Sequence, residues 1–205
     1  PSIAIIVSMT YFVHAFQKAH ERSEELLLNI LPAPIAERLK EENEETIADD
    51  FSEVTILFAD IVDFTKLSGR TSPHALVDML NKVFSAFDHL TERHGLEKIK
   101  TIGDAYMVVA GLPVVRPDHA EATANMALDM LAEMPRLREE IGEPPGLRIG
   151  INSGPVVAGV IGDRKFAYDT WGDSVNIASR MESQGMENRI QLTENTYAHL
   201  RDEYV

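Results

Sequence analysis

VTILFADIVDFT, residues 54–65, opens on six residues of β-branched and aromatic character and runs straight into two aspartates, Asp60 and Asp63. A run so short and apolar predicts a strand buried on both faces, with Asp60 standing at its end. Downstream, Thr71-Ser72-Pro73 places a proline just inside a helix start, and Leu76, Leu80, Val83, Phe84 and Phe87 give that helix a 3.6-residue stripe. His94-Gly95 should end it. LEKIKTI (96–102) and AYMVVAGL (105–112) flank Gly103-Asp104, a pair that marks a tight hairpin. Pro117 opens a second helix with Ala120, Ala124, Ala127, Leu128 and Leu131 on one face, Pro144-Pro145-Gly146 closes it, and LRIGINSG (147–154) reads as a fourth strand.

The order strand, helix, strand, hairpin, strand, helix, strand predicts an α+β fold with a ferredoxin-like βαββαβ core. In that fold the strands lie 4-1-3-2 with antiparallel neighbours, so the end of the first strand lies beside the start of the third. Asp60 and Asp104, far apart in sequence, are thereby brought to the same edge. Two carboxylates converging there are the minimum that one or two Mg²⁺ ions require, since Mg²⁺ completes its shell with water and phosphate oxygens. Two ions about 4 Å apart can activate an attacking oxygen and stabilise a leaving one. Asp63 reads instead as a loop cap.

A second cluster lies in FAYDTWGDSVNIASRMES, residues 166–183. Gly172 or Asp173 caps a helix on which Asn176 and Arg180 stand at i and i+4. That face presents an amide and a guanidinium, groups suited to a ribose hydroxyl and a phosphate. GPVVAGVIG (154–162) has three glycines and no lysine at P-loop spacing, so it is read as strand and turn. Lys98 and Lys100 fall on one strand face by simple alternation, which also suits an edge strand that resists sheet-to-sheet pairing.

Composition narrows the classes. Of 205 residues, 33 are acidic and 19 basic, a net charge of −14 that leaves no basic footprint for nucleic acid. The proportions, 44% hydrophobic and 25% charged, are those of a folded domain rather than a disordered one. With no cysteine, any bound metal must sit on carboxylates or histidine.

The first residues pose a separate problem. IAIIVSMTYFV, residues 3–13, is apolar and uncharged, yet a membrane crossing needs about 20 residues. Residues 1–13 are expected to be the cytoplasmic end of a transmembrane helix; an apolar helix packed on the domain is the alternative. Phe12, Phe16, Ala19, Ser23, Leu26 and Ile30 follow as a heptad seam with one polar slot, a pattern suited to parallel dimerisation. Pro32 and Pro34 interrupt it, residues 35–40 form a short helix, and EENEETIADD (41–50) reads as a solvated linker. The expected division is 1–13 membrane end, 14–49 helical transducer, 50–205 main domain.

FADIVDFT, EKIKTIGDAYM and FAYDTWGDSVNIASRM, in this order and at these separations, resemble the catalytic domain of class III nucleotidyl cyclases over residues 50–205. LLLNILPAPIAERL resembles the transducer segment ahead of that domain in membrane-anchored bacterial adenylate cyclases. The resemblance implies extra C-terminal strands and helices around the core, and a long helix before it. It implies that Asp60 and Asp104, with the Ile61 carbonyl, hold two divalent cations, Mg²⁺ or Mn²⁺. It assigns Lys100 and Asp169 to the adenine edge, Asn176 to the ribose and Arg180 to the reacting phosphate. Guanylate cyclases carry Glu and Cys where Lys100 and Asp169 stand, so ATP is the expected substrate and 3′,5′-cyclic AMP with pyrophosphate the expected products. In the family, the cations of one subunit work with the nucleotide-binding residues of another, so a homodimer with two shared sites is implied, at the membrane with its catalytic domain in the cytoplasm. The family's Lys-rich Gly turn, which contacts the terminal phosphates, is not found within these 205 residues. The alternatives are a guanylate cyclase, a diguanylate cyclase, which its missing Gly-Gly-Asp/Glu-Glu-Phe hairpin disfavours, and a non-catalytic dimerising module that binds nucleotide.

Overall fold

A computed structural model describes residues 2–41, 47–142, 146–162 and 166–203. By their internal contacts these residues form two units, Pro1–Ile47 with Val160–Tyr168, and Ala48–Gly159 with Asp169–Val205.

The first unit holds α1 (Ser2–Leu28) and α2 (Ala33–Lys40), with Pro at the start of α2 where a missing N–H costs nothing. Lys40 Nζ donates to Glu24 Oε1 at 2.6 Å across the break. Phe12, Phe16 and Leu26 of the heptad seam are exposed, and Ile30 falls past the end of α1. Among the described residues no helix is long and apolar enough to cross a membrane.

The second unit carries the expected core. The strands are β1 (Ala48–Ile61), β2 (Glu97–Ile102), β3 (Ala105–Ala110), β4 (Leu147–Ile161, in this unit as far as Gly159), β5 (Ala167–Trp171, in this unit from Asp169) and β6 (Arg189–Leu192). The sheet runs β2-β3-β1-β4-β5, with β6 parallel to β4, and β1 antiparallel to both β3 and β4. Within it lies the expected 4-1-3-2 order. Helices α3 (Phe64–Ser68), α4 (Pro73–His94), α5 (His119–Ile141), α6 (Asp173–Ser183) and α7 (Glu194–Leu200) complete the unit. Ser72 Oγ caps α4 by accepting from the Ala75 N–H, and Gly95 stops it at φ 65°, a left-handed conformation that costs glycine little.

The pleat divides the sheet's side chains into two sets. Leu57, Ala59, Ile61, Tyr106, Val108, Leu147, Ile149 and Ile151 pack against Val83, Phe87, Met126 and Met130 of α4 and α5 in one apolar cluster. The alternate residues, Phe58, Asp60, Met107, Arg148 and Gly150, face the other way, toward α6. There a glycine sets the spacing. A Cβ at Gly150 would lie 2.0 Å from the backbone nitrogen of Glu182, so α6 docks directly on the strand backbone.

Two expectations are corrected and one is extended. Ala48, Asp49 and Asp50 belong to β1, paired with Gly159, Ala158 and Val157, although their sequence reads as linker; residues 42–46 and the Pro144-Pro145 stop lie outside the described residues. The strand that LRIGINSG begins continues through GPVVAGVI to Ile161. Finally, Lys98 and Lys100 do not share a face. A bulge between them sets Lys98 opposite Val108 and Lys100 opposite Met107, which point to opposite sides.

Candidate active site

Asp60 closes β1 with Ala105 of β3 on one side and Arg148 of β4 on the other. Asp104 sits in the β2–β3 turn after Gly103, whose φ of 64° lets the chain reverse there. The two carboxyl groups meet. Burial chiefly, and then the hydrogen bond to and charge of Asp60, push Asp104 up to about 6. Arg148 donates to Asp60 Oδ2 at 2.6 Å and to Glu182 Oε1 at 3.1 Å, forking between strand and helix. Glu182 is buried, and burial, followed by the charge of Asp60, raises it to about 7. Two carboxyl groups therefore accept from one guanidinium, and a third, Asp104, lies within range of its charge. The surplus of negative charge, with oxygen as the sole ligand atom, fits a hard divalent cation of the Mg²⁺ or Mn²⁺ type.

Ile61 is buried, opposite Leu147 of β4. Asp63 occupies the N-cap position of α3 at φ 58°, but its carboxylate bonds Lys66 Nζ at 2.8 Å rather than the helix end or Asp60.

Lys100 and Asp169 come from the two outer strands of the sheet path, β2 and β5, and meet at 2.5 Å. Asp169 Oδ1 also accepts from the Thr170 N–H at 2.8 Å, which fixes the carboxylate plane. Lys98 is employed elsewhere: it donates to Asp88 of α4 at 2.6 Å and lies over the Tyr106 ring. Asn176 and Arg180 are exposed on α6, four residues apart, and among the described residues neither side chain has a hydrogen bond or ion pair. The structure thus joins Asp60 to Asp104 and Lys100 to Asp169, and leaves Asn176 and Arg180 presented outward.

Sequence reading missed Arg148 and Glu182. The strand order contained the signal for Arg148, because a fourth strand antiparallel to β1 must set a residue near its own start opposite Asp60. Glu182 gave none; an acid in a helix reads as solvated.

A ferredoxin-like sheet with an acidic pair at the end of β1 and a Lys–Asp pair across its outer strands defines a nucleotidyl cyclase domain of class III. Residues 47–205 match the family described as the adenylate and guanylate cyclase catalytic domain, and the chain belongs to that family. An adenylate cyclase of Mycobacterium tuberculosis is 53% identical over 186 residues, covering 91% of this chain and 42% of that protein. Human guanylate cyclase soluble subunit beta-2 is 42% identical over 184 residues, 89% of this chain and 30% of that one. The chain thus spans less than half the length of either relative. The catalytic core of a rhodopsin-guanylyl cyclase with converted specificity, in complex with ATPαS, superposes with a TM-score of 0.74 at 43% identity, covering 77% of this chain and 86% of that structure.

Proposed function

We propose that this domain is an adenylate cyclase, converting ATP to 3′,5′-cyclic AMP and pyrophosphate. The Lys100–Asp169 pair is the observation that carries this reading. Lys100 keeps two further N–H donors beyond the one given to Asp169, and one suits the acceptor N1 of adenine; the Asp169 carboxylate has lone pairs for the 6-amino group. Guanine reverses both edges, offering a donor at N1 and an acceptor at O6, so each contact would leave a polar group unpaired. A related core with converted specificity holds ATPαS, which supports an adenine nucleotide on this scaffold.

Asp60 and Asp104, with the Ile61 carbonyl, would hold two divalent cations, whose chemistry is to acidify the ribose 3′-hydroxyl and neutralise the triphosphate. Asn176 orients the ribose. Arg180 supplies positive charge where the α-phosphate gains negative charge during in-line attack by the 3′-oxygen, and pyrophosphate leaves. Because Asn176 and Arg180 point away from their own chain's interior, we assign them to the Asp60–Asp104 pair of a second copy, giving a parallel homodimer with two equivalent sites. The exposed apolar run at residues 7–13 supports attachment of this dimer to a membrane, with the catalytic domain on the cytoplasmic side.

The test is product identity with ATP and GTP side by side, in Mn²⁺ and at high protein concentration. Cyclic AMP as the dominant product is expected. Equal or greater cyclic GMP formation would overturn the base assignment, and no cyclic product from either would favour a non-catalytic nucleotide-binding module.

A further inference from the structure

Toward the other end of β1 lies a cluster that the cyclase reading does not use. The register of β1 against β4 slips between Phe51 and Val54, and in that bulge Glu53 is exposed. Glu53, His119 at the start of α5 and His199 of α7 bring one ligand atom each within 4.8 Å of one another. His199 Nε2 lies 2.9 Å from Glu53 Oε1, and the two imidazoles meet edge to face at 5.2 Å between centroids. The cluster borders a cleft of about 510 Å³ lined also by Asp50, Pro113 and Arg116.

We propose that Glu53, His119 and His199 form a binding site for a borderline divalent transition metal, Zn²⁺ being the natural occupant, separate from the Asp60–Asp104 pair. The decisive feature is a chain of hydroxyls, from half-buried Thr193 to the buried Thr196, Ser153 and Thr55, that sets the tautomer of His119. Asn152 Nδ2 donates to the Ser174 carbonyl, so its Oδ1 is the acceptor and takes the single proton of Thr193 Oγ1. Thr193 must then accept from Thr196 Oγ1, 3.2 Å away. Thr196 in turn accepts from Ser153 Oγ. With its proton spent, Ser153 accepts from Thr55 Oγ1 at 2.7 Å, and Thr55, its own proton spent, accepts from His119 Nδ1 at 2.7 Å. Each hydroxyl has one proton to give, so the direction set at Asn152 runs unbroken to the ring. His119 therefore carries its proton on Nδ1 and a lone pair on Nε2. A histidine whose other nitrogen donates to a fixed oxygen is the usual arrangement of a metal ligand.

Two histidines and one carboxylate form the donor set of a zinc site with an open fourth position, and the cleft leaves room there for water. Zn–N bonds of about 2.0–2.1 Å need the ligand atoms to draw closer than 4.8 Å. Glu53 and His199, exposed and on separate elements, can make that adjustment; His119, buried at 4% exposure, is the fixed member. Arg116, the nearby cation, already forks onto Asp118 at 2.6 and 2.7 Å, which limits its opposition to an incoming ion.

The experiment titrates the whole chain with Zn²⁺ against a chromogenic chelator, and with Co²⁺ to read ligand geometry from its visible absorption. An Asp60→Asn/Asp104→Asn variant is run in parallel to remove the other site. One equivalent should survive in that variant, with the absorption of a nitrogen-ligated Co²⁺, and should weaken at least tenfold in His199→Ala and in Glu53→Gln. Thr55→Val should weaken it by about 10- to 100-fold by releasing the tautomer. The exposed positions of Glu53 and His199 make their variants safe for folding. No equivalent left in the Asp60→Asn/Asp104→Asn variant, or one indifferent to His199→Ala, would overturn the proposal.

Discussion

Strand β1 bears two polar clusters, one at its C-terminal end and one at the bulge toward its start, and the two are made differently. At Asp60 the candidate ligand atoms are all oxygens, assembled by pairing β1 with β3 and β4, and left with more negative charge than Arg148 matches. At Glu53 two of three are ring nitrogens, assembled by a bulge and two helices, and one is oriented by hydroxyls that reach into the core. The first suits a hard ion that takes phosphate oxygens into its shell; the second suits a borderline ion that prefers nitrogen. A single strand can thus serve two chemistries, because what surrounds each end decides which charge and which donor it presents.

The sharpest way to break this contrast is at Asp60 and Asp104. Either one changed to Ala should lower cyclic nucleotide formation by about a thousandfold or more; Asp104→Ala should change the melting temperature little, because Asp104 is held against the charge of Asp60, whereas Asp60→Ala also removes the Arg148 ion pair and should lower it. Full activity in either variant would remove the catalytic end of the comparison. Next in size is complementation. Asp60→Ala and Arg180→Ala chains, each inactive, should recover about a quarter of wild-type activity when mixed equally, since half the dimers are mixed and one of their two sites is whole. Continued inactivity after confirmed subunit exchange would place all the groups in one chain.

Lys100→Glu with Asp169→Cys should shift the ATP to GTP ratio of kcat/KM by roughly 10- to 1,000-fold, provided the two changes add. An unchanged ratio in a folded dimer would leave the pair a simple strand-to-strand tie. The smallest effect concerns charge. Glu182 titrates near 7 in the folded protein against 4.5 ordinarily, so folding binds its proton more tightly. The stability this contributes is full below about pH 4.5 and lost as pH rises through 7. Glu182→Gln should flatten the fall in stability between pH 5 and 8 by about 1–2 kcal/mol, measured by urea unfolding without metal. An unaltered slope would place the charge surplus elsewhere.

Much of the catalytic end could be read in the sequence, because its parts are periodic or punctuated: an apolar run that ends on Asp60, a turn glycine before Asp104, a helix bearing Asn176 and Arg180 at i and i+4. The strand order then joined the first two. The other end gave no such signal. Glu53 depends on a register slip, and His119 and His199 lie on two helices that meet only in the fold. Lys98 and Lys100 failed for the same reason, since a bulge alters alternation without changing composition. Asp49 and Asp50 looked like linker because a strand's backbone pairing does not require apolar side chains where a face is exposed.

Gly150 bears on how any map of tolerated substitutions in this domain should be read. It lies on the strand residue two beyond Arg148 and touches the helix that displays Arg180, so one added methyl would push that helix off the strand and shift the outward face on which Asn176 and Arg180 stand. Such a position behaves in a screen like a reactive group, silent in every variant, although it has no side chain with which to react. What it contributes is a distance, and loss of activity there would signify that the face of α6 no longer stood where a second copy, in the proposed dimer, has to meet it.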